Sequence, residues 1–389
     1  MAFKKRPKSI YMDYQATTPL DPAVLEVMMP YFTEKFGNPH STTHAYGWEA
    51  EAGVERARRQ IATLIHADID DIIFTCGATE ANNLAIKGVM QSYGDKRPHV
   101  VSVVTEHKCV SNTIKATEVF GCTSTFVPVG KNGLVDLADI ETAITDQTAL
   151  VSVMAVNNEI GVIQPIKEIA KLAHAKGALF HTDAAQAFGK IPIDVVEDGI
   201  DLLSISGHKI YGPKGIGALY INSKKNINLT PHMSGGSQEK GIRAGTLAPA
   251  LCAGLGMAAK IASEDMGQES SRITTLMERF KTKLFNAHKG IIINGDVKQR
   301  WAGNLNMSFP GLDGTLLLAN LRGVAVSSGA ACASAVKEPS YIQKAIGNDI
   351  KLSKSSVRLG IGRFTTDEEI DQAADIFITV LDKMGGIKA

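Results

Sequence analysis

Five groups able to do chemistry sit just past the ends of apolar runs: a lysine, an aspartate, an asparagine, a histidine and a Gly-Ala-Thr turn. Lys209 lies in Ser206-Gly207-His208-Lys209-Ile210-Tyr211-Gly212-Pro213-Lys214-Gly215, after the run Asp201-Leu202-Leu203-Ser204-Ile205. That run reads as a buried strand, and Gly212, Pro213 and Gly215 break the pattern, so Lys209 is expected on a constrained loop. An amine there can condense with an aldehyde, and low-dielectric surroundings would lower its pKa so that it also moves protons. Alone, the motif reads more readily as a solvated lysine in a glycine loop.

The other four groups repeat the placement. Ile72-Thr75 leads into Cys76-Gly77-Ala78-Thr79-Glu80 and a helical pattern; Ala78 and Thr79 would offer free N–H groups and a hydroxyl to a phosphate, or simply cap a helix. Val100-Val104 ends in Thr105-Glu106-His107, an imidazole that could cover a flat ring and relay protons, or a plain surface histidine. Leu150-Val156 ends in Asn157-Asn158-Glu159-Ile160-Gly161, whose asparagines suit a ring hydroxyl, a substrate carboxylate or a turn. Leu179-Thr182 ends in Asp183-Ala184-Ala185-Gln186. A carboxylate at the floor of an apolar cleft is costly unless it meets a cation such as a protonated pyridine nitrogen; Gln186 could then reach a ring hydroxyl. In an open parallel sheet, ligands bind outside the carboxyl ends of the strands. A phosphate anchor, a ring cover, a partner for a ring nitrogen and an aldehyde-binding amine on five successive strand ends match the needs of pyridoxal 5'-phosphate.

The elements that must position these groups follow from the patterning. Short apolar runs alternate with helical patterns such as Pro165–Lys176 between about Asp71 and Ile221, which predicts a mostly parallel sheet covered by helices. From about Glu264 a polar-faced helix to Phe285, the runs Ile291-Asn294 and Asn304-Phe309, and a closing helix from Thr366 to Met384 predict a smaller α+β domain. The fold expected is therefore α/β, with a large domain over 17–262 and a small one formed by 1–16 and 263–389. At 389 residues, 44% hydrophobic and 21% charged, the chain has the composition of a two-domain globular protein. A net charge of +1 argues against a nucleic-acid or anionic-membrane surface. No run reaches membrane-spanning length, and Lys4, Lys5, Arg6 and Lys8 are not followed by the apolar stretch of a leader. The cysteines Cys76, Cys109, Cys122, Cys252 and Cys332 are odd in number with no C-x-x-C, so a cytoplasmic location is expected. His40 and His44 have i, i+4 spacing but lie among Gly37, Pro39 and Gly47 with no carboxylate between them, so no metal site is expected there.

The motifs Phe36-Gly37-Asn38-Pro39, Phe74 to Glu80 (FTCGATE), Asn157 to Gly161 (NNEIG), Ser206 to Gly215 (SGHKIYGPKG) and Ser327 to Ser334 (SSGAACAS) resemble those of the cysteine desulfurases of the NifS/IscS type, within the class V aminotransferase fold. The resemblance runs from Tyr11 to Thr366, nearly the whole chain. It implies that Lys209 binds pyridoxal 5'-phosphate and acts as the base. Ala78, Thr79, Ser206 and His208 would hold the phosphate, His107 would stack on the ring and serve as a proton acceptor, Asp183 would pair with the ring nitrogen, and Asn158 and Gln186 would lie on the hydroxyl side. Thr246 would reach the cofactor of a neighbouring subunit, which implies a homodimer with shared active sites. Arg358 would hold the substrate carboxylate. Cys332 lies among small residues, Val326 to Ala335, expected to form a loop that can visit a cofactor and leave. The resemblance makes it the nucleophile that takes sulfur from L-cysteine as a persulfide, leaving L-alanine, and passes it to an acceptor or iron–sulfur scaffold protein for iron–sulfur clusters or thio-modification. No metal is implied beyond a transient iron–sulfur ligation by Cys332. The other four cysteines read as structural. Cys76 replaces a more usual serine, and Lys240 and Ala244 replace the usual Arg and Ser near Thr246. A selenocysteine lyase needs nearly the same residues; an aminotransferase of the same fold does not need Cys332. A cofactor-free scaffold for iron–sulfur assembly needs none of Lys209, Asp183 and His107.

Overall fold

The computed structural model describes residues 9–328 and 340–387. In chain order the strands are β1 (Ile10–Tyr11), β2 (Ile72–Thr75), β3 (His99–Val103), β4 (Thr123–Val127), β5 (Thr148–Ser152), β6 (Leu179–Asp183) and β7 (Leu202–Ser206). They continue with β8 (Gly217–Ile221), β9 (Ile292–Ile293), β10 (Asn304–Ser308), β11 (Val324–Ala325), β12 (Ser327–Ser328) and β13 (Ser356–Gly360). A seven-stranded sheet has the order β2-β8-β7-β6-β5-β3-β4. Strands β3 to β7 pair in parallel. β8 is antiparallel to both β7 and β2, which makes β2 run with the parallel set. All five chemistry-bearing strand ends therefore face the same edge. They are not consecutive: β4 intervenes in sequence, and β8 separates β2 from β7 in space.

Both faces of this sheet are covered, which explains why its strands read as continuous apolar runs. Side chains alternate: Ile72, Phe74, Leu203 and Ile205 join one apolar cluster, and Ile73 and Leu202 join the other. The helix Ala78–Tyr93 crosses from β2 to β3, and Ile166–Ala175 crosses from β5 to β6.

The long helix differs from expectation. It starts at Pro249, not near Glu264, and runs to Ala287. Its first half is a small-residue stretch, with Ala253, Leu255, Ala258 and Ala259 buried, so it lacks the polar stripe that marks a helix in sequence. Gly256 shows why small residues are needed there: a Cβ would lie 2.4 Å from the Ala57 Cα of the helix Ala45–Leu64 packed against it. The strand β13, which carries Arg358, has no counterpart among the expected elements. It pairs antiparallel with β10 and β12 in a four-stranded sheet of order β12-β13-β10-β9. The closing helix, Asp367–Lys383, starts with a capping box between Thr366 and Glu369. A short parallel pair, β1 with β11, brings the N-terminal segment beside β13, where Asp13 bridges to Gly360.

Candidate active site

Of the predicted site residues, all but Thr246 and Cys332 line one cavity of about 490 Å³ at the carboxyl edge of the large sheet. Thr246 is exposed and outside this cavity; Cys332 lies outside the described residues.

β2 delivers the phosphate-type cradle. Gly77 has φ +153°, and nothing among the described residues lies within 4 Å of where its Cβ would be. It precedes the helix Ala78–Tyr93, whose first N–H groups donate to no N-cap side chain. Glu80 closes the turn by accepting from the Cys76 N–H at 2.7 Å, and Arg243 Nε donates to its other oxygen at 2.9 Å. Burial works to raise the Glu80 pKa, but the bonds from Arg243 and Cys76 outweigh it and the net shift is downward. Burial and then Glu80 push the Cys76 thiol up, so it is a neutral thiol on the cavity wall.

β7 delivers Ser206, His208 and Lys209. His208 Nδ1 lies 3.0 Å from Thr17 Oγ1. Burial and the charges of Lys209, Lys214 and Lys190 push its pKa down to about 4, so the imidazole is neutral at pH 7. Lys209 Nζ donates to the carbonyl oxygens of Gln15 and Ala16, at 2.6 and 2.7 Å. The N-terminal segment thus forms one wall of the site, which no local pattern in residues 13–16 announces.

β6 delivers Asp183, almost fully buried. One oxygen accepts from the Ala185 N–H at 2.9 Å and the other from Asn82 Nδ2 at 2.8 Å. Beside it lies Glu106, whose pKa is raised well above the usual range by burial and then by Asp183. The shift favours the neutral form of Glu106, which lessens the competition of a second carboxylate charge beside Asp183. Gln186 Nε2 donates to the Gln15 carbonyl at 2.9 Å, and its Oε1 accepts from Lys190 Nζ at 2.9 Å. Burial, then the charge of Lys209, brings the Lys190 pKa down to about 7.

The two asparagines after β5 divide the work. Asn157 is a turn residue: its Oδ1 accepts from the N–H groups of Glu159 and Ile160, and its Nδ2 donates to the Thr105 carbonyl. Asn158 lines the cavity, and its buried Oδ1 has no hydrogen-bond partner among the described residues. β13 delivers Arg358, buried, with Nη2 donating to Asp13 Oδ1 at 2.7 Å and Nη1 to the Asn158 carbonyl at 3.2 Å.

These groups suit pyridoxal 5'-phosphate. The turn at Gly77 leaves room for an anion, Asn158 Oδ1 is an orphaned acceptor, and Asp183 retains lone pairs for a ring N–H.

Residues 10–373 match the model of the class-V aminotransferases. The chain belongs to this family. It is 54% identical over 375 residues to the cysteine desulfurase IscS of Rickettsia felis, covering 96% of this chain and 92% of the relative. Among solved structures, a NifS-like protein superposes with a TM-score of 0.89 at 32% identity, covering 97% of this chain and all of the other. SspA in complex with cysteine superposes with a TM-score of 0.83 at 36% identity, covering 92% and 100%. Within the class-V aminotransferases the chain is thus an enzyme of the cysteine desulfurase group.

Sequence reasoning missed three side chains of this class-V site. Asn82 was hidden inside a helix, although a polar residue beside Ala81, Leu84 and Ala85 breaks the buried face. Lys190 stands four residues after Gln186, and its Nζ also lies 4.7 Å over the Trp301 ring. Cys109, read as structural, lines the cavity. No helix among the described residues is long and apolar enough to cross a membrane.

Proposed function

We propose that this enzyme converts L-cysteine to L-alanine and leaves the sulfur as a persulfide on Cys332. The observation that carries the proposal is the meeting of Lys209, Asp183, His107 and Arg358 in one cavity, from four different strands. When bound, pyridoxal 5'-phosphate supplies an aldehyde for an amine and a ring that takes up the electron pair released at Cα. The N–H groups at Ala78 and Thr79, with Ser206 and His208, hold the phosphate. Asp183 keeps a proton on the ring nitrogen, and its bonds from Asn82 and Ala185 fix its orientation. His107 covers one ring face; Asn158 and Gln186 serve the hydroxyl side. Arg358 takes the substrate carboxylate while Asp13 steadies the guanidinium, and Lys209 removes the α-proton. The Cys332 thiolate attacks the substrate sulfur, forming an S–S bond as the Cβ–S bond breaks; the Cβ side, once protonated, becomes alanine. The structure of SspA with cysteine, a related fold, supports the choice of substrate.

We further infer a homodimer in which Thr246 serves the partner's cofactor. In support, Thr246 is exposed and outside its own cavity, and Phe32, Phe36, Tyr46 and Trp48 expose apolar surface that a second chain would cover. The division at 262 is proposed on the same footing; the helix Pro249–Ala287 then belongs to both parts. The sulfur goes to an acceptor or iron–sulfur scaffold protein in the cytoplasm.

The test has two arms. Lys209→Ala is expected to lose the visible band that the wild type gains with pyridoxal phosphate, and all cysteine turnover; a wild type that takes up no cofactor would sink the reading. Cys332→Ala is expected to keep the band but release no sulfide, and undiminished persulfide formation there would exclude its role. Cysteine and selenocysteine are supplied side by side, scoring alanine.

A further inference from the structure

Cys109 is the second residue of the helix Lys108–Ala116, which His107 caps. Its Sγ lies 2.9 Å from His107 Nδ1, 3.1 Å from Asn82 Nδ2 and 3.9 Å from Asp183 Oδ2. Asn82 is fully buried on the helix that follows β2, and its Nδ2 also donates to Asp183 Oδ2 at 2.8 Å. An ionised Asp183 only accepts, so the amide nitrogen of Asn82, not its oxygen, must face it. The two amide hydrogens are then committed, one to the carboxylate and one to the sulfur. A thiol that accepts from Asn82 still has its own hydrogen to give. Asp183 Oδ2, at 3.9 Å, is at the outer limit of reach, whereas His107 Nδ1 is close. The Cys109 backbone N–H donates to the same Nδ1 at 3.2 Å. A nitrogen facing two donors carries a lone pair, so the neutral imidazole keeps its hydrogen on Nε2.

We propose that Cys109 and Asn82 are positioning residues: together they hold His107 in the Nε2–H tautomer and join it to Asp183 through one chain of hydrogen bonds. The group that covers the ring and the group that pairs with its nitrogen thereby become a single unit. The role in the reaction rests on the pyridoxal phosphate reading above; the tautomer does not. Glu106 and Glu159, acids among the described residues that feel a charge on His107, are left in place by the substitutions that test the chain.

The experiment is NMR of the full chain labelled with 15N-histidine, followed through pH with and without pyridoxal phosphate. In the wild type His107 is expected to carry hydrogen on Nε2 and none on Nδ1 while neutral. Cys109→Ala removes one donor to Nδ1, so protonation becomes easier and the titration should move up by about 0.5 pH unit, the effect of losing one weak hydrogen bond. Cys109→Ser restores a donor and should return the wild-type titration; Asn82→Ala, which frees the sulfur to turn, should shift it in the same direction as Cys109→Ala. A hydrogen on Nδ1 in the neutral wild type overturns the proposal, as does an unchanged titration in Cys109→Ala. Should Cys109→Ala not fold, the wild-type tautomer and the Asn82→Ala shift decide. Failure to take up cofactor at all would overturn the pyridoxal phosphate reading and leave the tautomer result standing.

Discussion

Replacing Glu159 by glutamine should make the protein more stable at pH 8 than at pH 5, relative to the wild type. Glu159 is buried in the turn after β5, and its Oε2 accepts from Ser340 Oγ at 2.5 Å. Burial raises its pKa from 4.5 to about 7, against opposing contributions from Ser340, Arg358, His107 and Lys108. A carboxyl with a raised folded-state pKa gives up its proton more readily in the unfolded chain. Its stabilisation is complete below about pH 4.5, is lost as pH rises, and levels off above about pH 7. At about 1.4 kcal/mol per pH unit, the full loss between 4.5 and 7 comes to about 3 kcal/mol, most of it between pH 5 and pH 8. Glutamine keeps a polar group for the Ser340 hydroxyl and has no proton to lose, so its stability should not carry this slope. Urea denaturation followed by tryptophan fluorescence, at pH 5 and pH 8, reads the difference; the buried Trp301 reports on the folded state. The variant should gain about 2–3 kcal/mol on the wild type between the two pH values. An equal difference at both, or a variant that loses ground at pH 8, would refute the assignment of a neutral carboxyl to this position.

Gly77→Ala should weaken pyridoxal phosphate binding about tenfold without a steric clash. No atom of the described residues lies within 4 Å of the new methyl, but φ +153° strains any L-residue by about 1–3 kcal/mol; a fluorescence titration with the cofactor checks it, and an unchanged affinity would mean the cradle is not used. Arg358→Gln should raise the cysteine KM about 10- to 100-fold, the loss expected for a charge-assisted pair of bonds, with kcat less affected; steady-state kinetics on alanine formation decides, and an unmoved KM would place the carboxylate elsewhere.

The chemistry of the large sheet was readable because a parallel sheet turns sequence into geometry. Each strand end delivers its next few residues to the same edge, so Lys209, Asp183, His107 and Thr79 could be assembled from local strings alone. What stayed hidden depends on contacts without a local pattern. Asn82 sits mid-helix and matters only because β6 places Asp183 2.8 Å away. Gln15 and Ala16 contribute main-chain carbonyls, and any residues there would present the same atoms to Lys209. The start of the long helix was missed because its buried turns need small apolar residues all round, which leaves no amphipathic signal. The choice between Asn157 and Asn158 also required the turn itself, since the two differ only in which one bonds its own backbone.

One arrangement links these hidden contacts to the residue that the chemistry needs most. Ser327 Oγ donates to Asp13 Oδ2 at 2.7 Å, and the other oxygen of Asp13 holds Arg358. On the far side of residues 329–339, Ser340 donates to Glu159, whose carboxyl also feels the charge of Arg358. The chain therefore enters and leaves the stretch that contains Cys332 at hydroxyls bonded to carboxyl groups flanking the arginine assigned to the substrate. Removing Arg358 alone would leave the partly buried Asp13 without its cation and with Ser327 as its remaining side-chain partner among the described residues, and part of any kinetic loss would come from that rather than from the substrate. Asp13→Asn and the double variant with Arg358→Gln close a cycle that separates the two. If Arg358 binds the substrate carboxylate, most of the KM increase should persist in the double variant. If it serves only to neutralise Asp13, the double variant should recover most of what Arg358→Gln loses.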